Sequence, residues 1–211
     1  MNLRNSVLSG IFAASIALSG ASALADEATP AATPAEDATA AVPVTVSPKA
    51  IKTADGDFVG YATMWEDEAG VHIVIKSSGD AVLAPGEHGV HIHETGVCDD
   101  ESAFDSAGGH FNPSDEAHGD ANADPSHGGD LGNMTVADDG SFEHKVVVSK
   151  ITLQPDEANS LNDDDGSAIV IHAGEDDLAT DPSGESGDRE ACGVIFAPIE
   201  GSGTPVATPA N

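Results

Sequence analysis

The chain has 211 residues, with 37 Asp and Glu against 7 Lys and Arg, and a formal net charge of −30. So acidic a chain repels polyanions, which excludes nucleic acid and anionic membrane surfaces as partners. It has no internal repeat and only two cysteines, and its length suits one domain around one core once its biased ends are set aside.

Residues 1–25 have the layout of a secretory signal peptide. Arg4 lies near the amino terminus, Val7–Leu18 is an apolar run relieved only by Ser and Gly, and Ala23-Leu24-Ala25 is a small-x-small cleavage site. The run is too short for a permanent anchor and no later stretch approaches spanning length, so the mature chain is expected to be soluble. Cleavage removes Arg4 and no acid, taking the charge from −30 to about −31. Residues 26–42 are almost wholly Ala, Thr, Pro, Asp and Glu. They lack the apolar surface to offset ordering entropy and read as a flexible acidic linker. Residues 201–211 read as a flexible tail of the same character, leaving a domain at 43–200.

Within the domain the expected elements are strands. Phe58–Glu66 and Val71–Lys76 flank a turn at Asp67-Glu68-Ala69-Gly70, and Gly89–His93, Gly132–Ala137 and Phe142–Val148 follow. Ala168–His172 and Gly193–Ala197 complete the set, with Asp138-Asp139-Gly140 as a hairpin turn between two of them. Glu157–Leu161 is the one piece with helical character. Strands spaced by turns, with two long Gly- and Asp-rich excursions at Thr95–Asp130 and Ala173–Ala191, predict an all-β antiparallel barrel or sandwich. Loops that long in a compact domain are usually functional.

The histidines explain the excursions. His91 and His93 stand two apart on a strand, so both side chains leave one face and can converge on one ion. Gly109-His110-Phe111-Asn112-Pro113 is followed by His118, His127 and Asp130, three imidazoles and a carboxylate of the kind zinc takes in tetrahedral sites. Calcium is a poorer fit: Asp120-x-Asn122-x-Asp124 opens like an EF-hand loop, but Pro125 stands where Gly is required and Leu131 where Glu is required. Export makes a Cys98–Cys192 disulfide the expected state of the two cysteines. Closing so long a loop stabilises a fold by about 4–5 kcal/mol in the chain-entropy picture.

Five segments together resemble the copper/zinc superoxide dismutase family, and Gly86-Glu87-His88-Gly89 with the short connection from His172 to Arg189 resembles its exported bacterial branch. The five are Gly89-Val90-His91-Ile92-His93-Glu94, His110-Phe111-Asn112-Pro113, His127-Gly128-Gly129-Asp130-Leu131-Gly132-Asn133, Ile171-His172 and Gly187-Asp188-Arg189-Glu190-Ala191-Cys192-Gly193-Val194-Ile195. The resemblance implies a Greek-key β-barrel, superoxide as substrate, and dismutation by copper with zinc in support. It places His91, His93, His110 and His172 on copper, and His110, His118, His127 and Asp130 on zinc. His110 then bridges the metals and serves as proton donor, while Arg189 is the cation beside the open copper position. Asp176 falls on the carboxylate that orients ligands of both metals, with Asp177 adjacent. Periplasmic location, or secretion, and a monomer or homodimer are the corresponding expectations. The acidity departs from the family: the lysines at 49, 52, 76, 145 and 150 all lie outside the two excursions, so strong electrostatic steering of superoxide is not carried over.

Overall fold

The computed structural model describes residues 44–199, and the signal peptide, acidic linker and tail read from the sequence lie outside the described residues. Eight strands follow in order: β1 (Thr45–Thr53), β2 (Phe58–Asp67), β3 (Gly70–Ser77), β4 (Gly86–His93), β5 (Asp130–Val136), β6 (Glu143–Val148), β7 (Ser167–His172) and β8 (Arg189–Phe196). Every ladder is antiparallel, in the lateral order β5-β4-β7-β8-β1-β2-β3-β6. The sheet curls into a nearly closed Greek-key barrel whose seam lies between β5 and β6. Across that seam the His144 ring, through Nε2, donates to the Leu131 carbonyl at 3.0 Å.

Alternation drives the closure. In β3 the buried residues are Val71, Ile73 and Ile75, while His72 and Val74 face outward, as a period of two requires when one face is buried. The inward set joins Ile51, Met64, Ile92, Leu131, Ile169, Ile171 and Ile195 in one core. Strand β7 is buried throughout, which matches its continuous Ser-Ala-Ile-Val-Ile-His run.

Three expectations change. Strand β1 was not predicted, because Pro48 interrupts its pattern. The structure accommodates the proline at a register shift between Val46 and Lys49, where a missing ladder donor costs little. Glu157–Leu161 is not helical. It is a turn in which Leu161 points into the core, and among the described residues the one helical piece is a 3-10 turn at Asp105–Ala107. The Asp138-Asp139-Gly140 turn does form, with the Gly140 amide donating to the Ala137 carbonyl at 2.8 Å. The strands it joins nevertheless part at once, β5 to pair with β4 and β6 with β3.

Candidate metal centre

Strand chemistry places the first cluster. His91 and His93 project from β4, and the same strand pairs His91 with Val170 and His93 with Ala168 of β7, whose last residue is His172. A lone bridge at the end of β4 brings His110 opposite His93. The ligand-capable nitrogens of His91, His93, His110 and His172 lie within 4.8 Å of one another, and all four residues are buried.

Each ring in this cluster is oriented by its other nitrogen. His93 Nδ1 faces the Gly108 carbonyl at 3.0 Å, His172 Nδ1 the Gly187 carbonyl at 3.0 Å, and His91 Nε2 the Asp176 carboxylate at 2.7 Å. A ring nitrogen facing an acceptor carries the proton, so the lone pair is fixed on the opposite side. Those opposite atoms are His91 Nδ1, His93 Nε2 and His172 Nε2. Together with His110 Nε2 they are buried and lack a hydrogen-bond partner among the described residues. An unsatisfied buried polar atom costs about 1–3 kcal/mol, so four pointing at one spot are a ligand set awaiting a cation.

The second cluster is built on a carboxylate. His110 Nδ1, His118 Nδ1 and His127 Nδ1 lie 2.9, 3.1 and 3.2 Å from Asp130 Oδ1. The other oxygen, Oδ2, accepts the backbone amides of Gly119 and His127 at 3.0 and 2.9 Å. Ligand-capable atoms of a group formed by His91, His110, His118 and Asp130 also lie within 4.8 Å of one another, with His91 where His127 was expected. His91 enters it because its ring stacks on His110 at 3.9 Å, yet its free nitrogen belongs to the first cluster. His127 Nδ1 is 3.3 Å from His110 Nδ1 and shares the same carboxylate oxygen, so the expected set of His110, His118, His127 and Asp130 is also brought together.

Electrostatics differ sharply between the two. Burial pushes the His91 imidazole down to about 3 and His172 down to about 4, and lowers His93 and His110 as well. Burial also opposes charge on His118, but its bonds to Asp130 and Asp176 outweigh this and raise it to about 10. Asp130 is held far below the usual carboxylate range, its bonds to His110, His118 and His127 overcoming the cost of burial.

Asp176 links the clusters. Its Oδ2 bonds His91 Nε2 and its Oδ1 lies 2.9 Å from His118 Nε2, and it too titrates far below normal because those bonds overcome burial. Asp177, by contrast, is exposed and caps a turn through Thr180, so of the two neighbours it is Asp176 that touches both clusters. Gly184, at φ 63°, leaves room for it: a Cβ there would fall on Asp176 Oδ1. The sequence reading missed Asn133, whose side chain donates to the Asp176 carbonyl and accepts the Asp176 amide, each at 2.8 Å. Its place in the His127–Asn133 segment was the available signal.

Arg189 begins β8 opposite His172, beside a register shift. Its Nη1 and Nη2 donate to the Phe104 and Gly108 carbonyls at 2.6 Å each, so Gly108 ties the guanidinium to His93. Cys98 and Cys192 form a disulfide across a separation of 94 residues, beside Phe104 and Ala107. It anchors the first excursion to β8. His88 is structural, its two ring nitrogens 2.7 and 2.8 Å from the carbonyls of His172 and Ala84.

The donor chemistry fits both metals: four imidazoles suit copper, and three imidazoles with a carboxylate suit zinc. The sequence profile of the copper/zinc superoxide dismutase family matches residues 58–195. A Cu-Zn superoxide dismutase of Aquifex aeolicus is 42% identical over 142 residues, covering 67% of this chain and 81% of its own. One from Caulobacter vibrioides is 38% identical, covering 69% and 82%. A superoxide dismutase-like protein of Bacillus subtilis is also 38% identical, covering 67% of this chain and 71% of its own. The crystal structure of a double variant of a SOD-like protein from that organism, carrying a Tyr-to-His and a Pro-to-His change, aligns with TM-score 0.65 at 36% identity, over 72% of this chain and 99% of its own. Identity near 38% is thus shared by a named dismutase and a dismutase-like protein.

Proposed function

The chain belongs to the copper/zinc superoxide dismutase family, and from that premise we propose how its own residues carry out superoxide dismutation. His91, His93, His110 and His172 hold copper; His110, His118, His127 and Asp130 hold zinc. The observation that carries this assignment is the set of four partnerless buried nitrogens. Copper supplies one-electron redox chemistry, and zinc a fixed positive charge. Two superoxide anions and two protons become dioxygen and hydrogen peroxide.

His110 is the residue on which the two half-reactions turn. Its Nδ1 is held toward Asp130 while its Nε2 faces the other histidines, so one ring serves both clusters. With the metals in place, His110 Nε2 would be the atom able to hold a proton and give it to the product. Arg189 binds the anion: its charge is permanent and its carbonyl bonds fix the fork in place. The linking carboxylate Asp176 keeps His91 and His118 in fixed tautomers.

Export to the periplasm through residues 1–25 is part of the same reading, supported by the disulfide, which persists in oxidising compartments. Among the described residues no helix is long and apolar enough to cross a membrane. The mature chain works as a monomer or homodimer, which sedimentation distinguishes. The deciding assay is superoxide consumption by protein reconstituted with copper and zinc, against protein given zinc alone. Activity should require copper; equal rates in the two preparations would remove the assignment.

A further inference from the structure

The zinc half of the centre is carried by a loop, and something outside the loop must hold it. Ser126, adjacent to His127, is 1% exposed. Lys150, just past the end of β6, donates through Nζ to both the Ser126 carbonyl and Ser126 Oγ, each at 2.9 Å. Ser126 Oγ in turn donates to the Ala123 carbonyl at 2.9 Å. The Lys150 backbone is itself fixed, its carbonyl accepting Asn159 Nδ2 at 2.9 Å. The neighbouring Ile151 lies so close to Gly128 that a Cβ on the glycine would meet Ile151 Cγ2 at 2.9 Å. Earlier in the same loop, Asn122 donates to the Val147 carbonyl at 2.7 Å and accepts the Ser149 amide at 3.0 Å. The stretch read above against a calcium pattern is therefore pinned to the barrel by a side chain that pattern would have spent on an ion.

We propose that Lys150 is a positioning residue for the zinc half-site: its two hydrogen bonds hold the Ser126–His127 peptide against the barrel so that His127 Nδ1 faces Asp130 Oδ1 before the metal arrives. The proposal rests on the reading of His127 and Asp130 as zinc ligands. The hydrogen bonds are charge-assisted and half-buried, the circumstance in which they are strong. The three residues that belong to the copper side alone, His91, His93 and His172, stand apart on β4 and β7. A ligand held by a peptide tether alone samples orientations that the metal must then collapse. Fixing the peptide beforehand removes that cost, as groups orienting metal ligands generally do.

The test compares Lys150→Met, which keeps the stem and removes the donors, with Lys150→Arg, which keeps a charged donor. Both are made in the full exported chain. Zinc affinity is read by competition with a chromophoric chelator, and cobalt(II) substituted for zinc gives a ligand-field spectrum that reports coordination at His127. Loss of an orienting partner should weaken zinc by about 10-fold or more in K150M, alter the cobalt bands, and leave copper affinity within about twofold. K150R should recover most of the zinc affinity. Ser126→Ala, which keeps the carbonyl acceptor and the lysine, should fall between and covers the case of a poorly folding K150M. Zinc binding unchanged in K150M and S126A, or zinc and copper weakened alike, overturns the proposal. Asp130→Ala separates the layers: if it loses zinc while K150M keeps it, only the role of Lys150 falls, and if it too keeps zinc, the ligand assignment falls with it.

Discussion

The two histidine clusters touch through His110, yet they are built on opposite principles. The copper-side cluster stands mainly on strand ends. Its rings are oriented by backbone carbonyls and by Asp176 and Asp130, burial disfavours their charged forms, and four of their nitrogens converge without a hydrogen-bond partner among the described residues. The zinc-side cluster draws His118 and His127 from a loop and is organised around Asp130 Oδ1 at the start of β5, with His118 holding a proton between two carboxylates. The barrel therefore preforms the first, while charge and a few anchoring bonds preform the second. Strands give three of the copper-side residues a fixed frame, while His110, proposed to exchange a proton, lies outside them. A metal that only holds charge tolerates a loop.

The sharpest way to break that contrast is to remove its organising carboxylate. Asp130→Ala deletes the atom that three Nδ1 groups share and the acceptor for two backbone amides. Zinc should be lost and the melting temperature should fall, because breaking a buried pair by removing one partner typically costs about 3–5 kcal/mol. Copper should remain bound through His91, His93 and His172. Metal analysis of the purified variant decides it, and unchanged zinc stoichiometry would mean that Asp130 is not a ligand.

A smaller effect follows from the protonation states. His118 of the metal-free protein, raised to about 10, must release a proton when zinc binds, whereas His91 and His172, at about 3 and 4, have none to release at neutral pH. Between about pH 6 and 8 zinc affinity should thus rise about tenfold per pH unit, with copper affinity rising distinctly less steeply. Stability of the metal-free protein follows the same groups. The depressed histidines contribute stability above their ordinary value of 6.5 that is lost as pH falls toward 4. His118 contributes stability below 6.5 that is lost as pH rises through about 10. The melting temperature should therefore peak near pH 6.5. Parallel pH slopes for the two metals would erase the distinction between the clusters.

How much of this was legible in the sequence divides along the same line. A strand with a period of two announces itself, so His91-x-His93 and most of the barrel could be read directly, Pro48 hiding β1 because its cost depends on a bulge that no local pattern reveals. The candidate ligands of the loop could be named from chemistry and resemblance, and the fold brings them together around Asp130. What holds them could not, since Lys150 to Ser126, Asn133 to Asp176 and Asp181 to the His118 amide join residues 24, 43 and 63 apart. Such contacts follow from closure of the whole barrel. The parting of β5 and β6 after a well-formed turn has the same origin, because the turn is local and the choice of pairing partner is not.

The smallest expected effect concerns the field around the two clusters, and it sets near charge against far charge. Near the copper-side cluster the cation is Arg189, whose charged form burial disfavours and Asp105 supports, while Lys150 lies against the loop of the other cluster. Both excursions lack lysine, and Lys76 and Lys145 lie out on β3 and β6. Farther away is the chain's formal charge of −30. Spread over a sphere of roughly 20 Å radius in water, that charge repels a monoanion by about 6 kcal/mol without screening. Salt reduces the barrier to about 4 kcal/mol at 0.01 M and about 2 kcal/mol at 0.1 M, where the Debye length is about 30 and 10 Å. Attraction at the mouth of the site acts over a shorter distance through partly buried groups, so salt weakens it less than it weakens the distant repulsion. The kcat/KM for superoxide should consequently stay flat or rise between low and physiological salt, which pulse radiolysis measures directly. A several-fold fall would mean that a local cationic funnel outweighs the acidic surface, and the contrast between near and far charge would be lost.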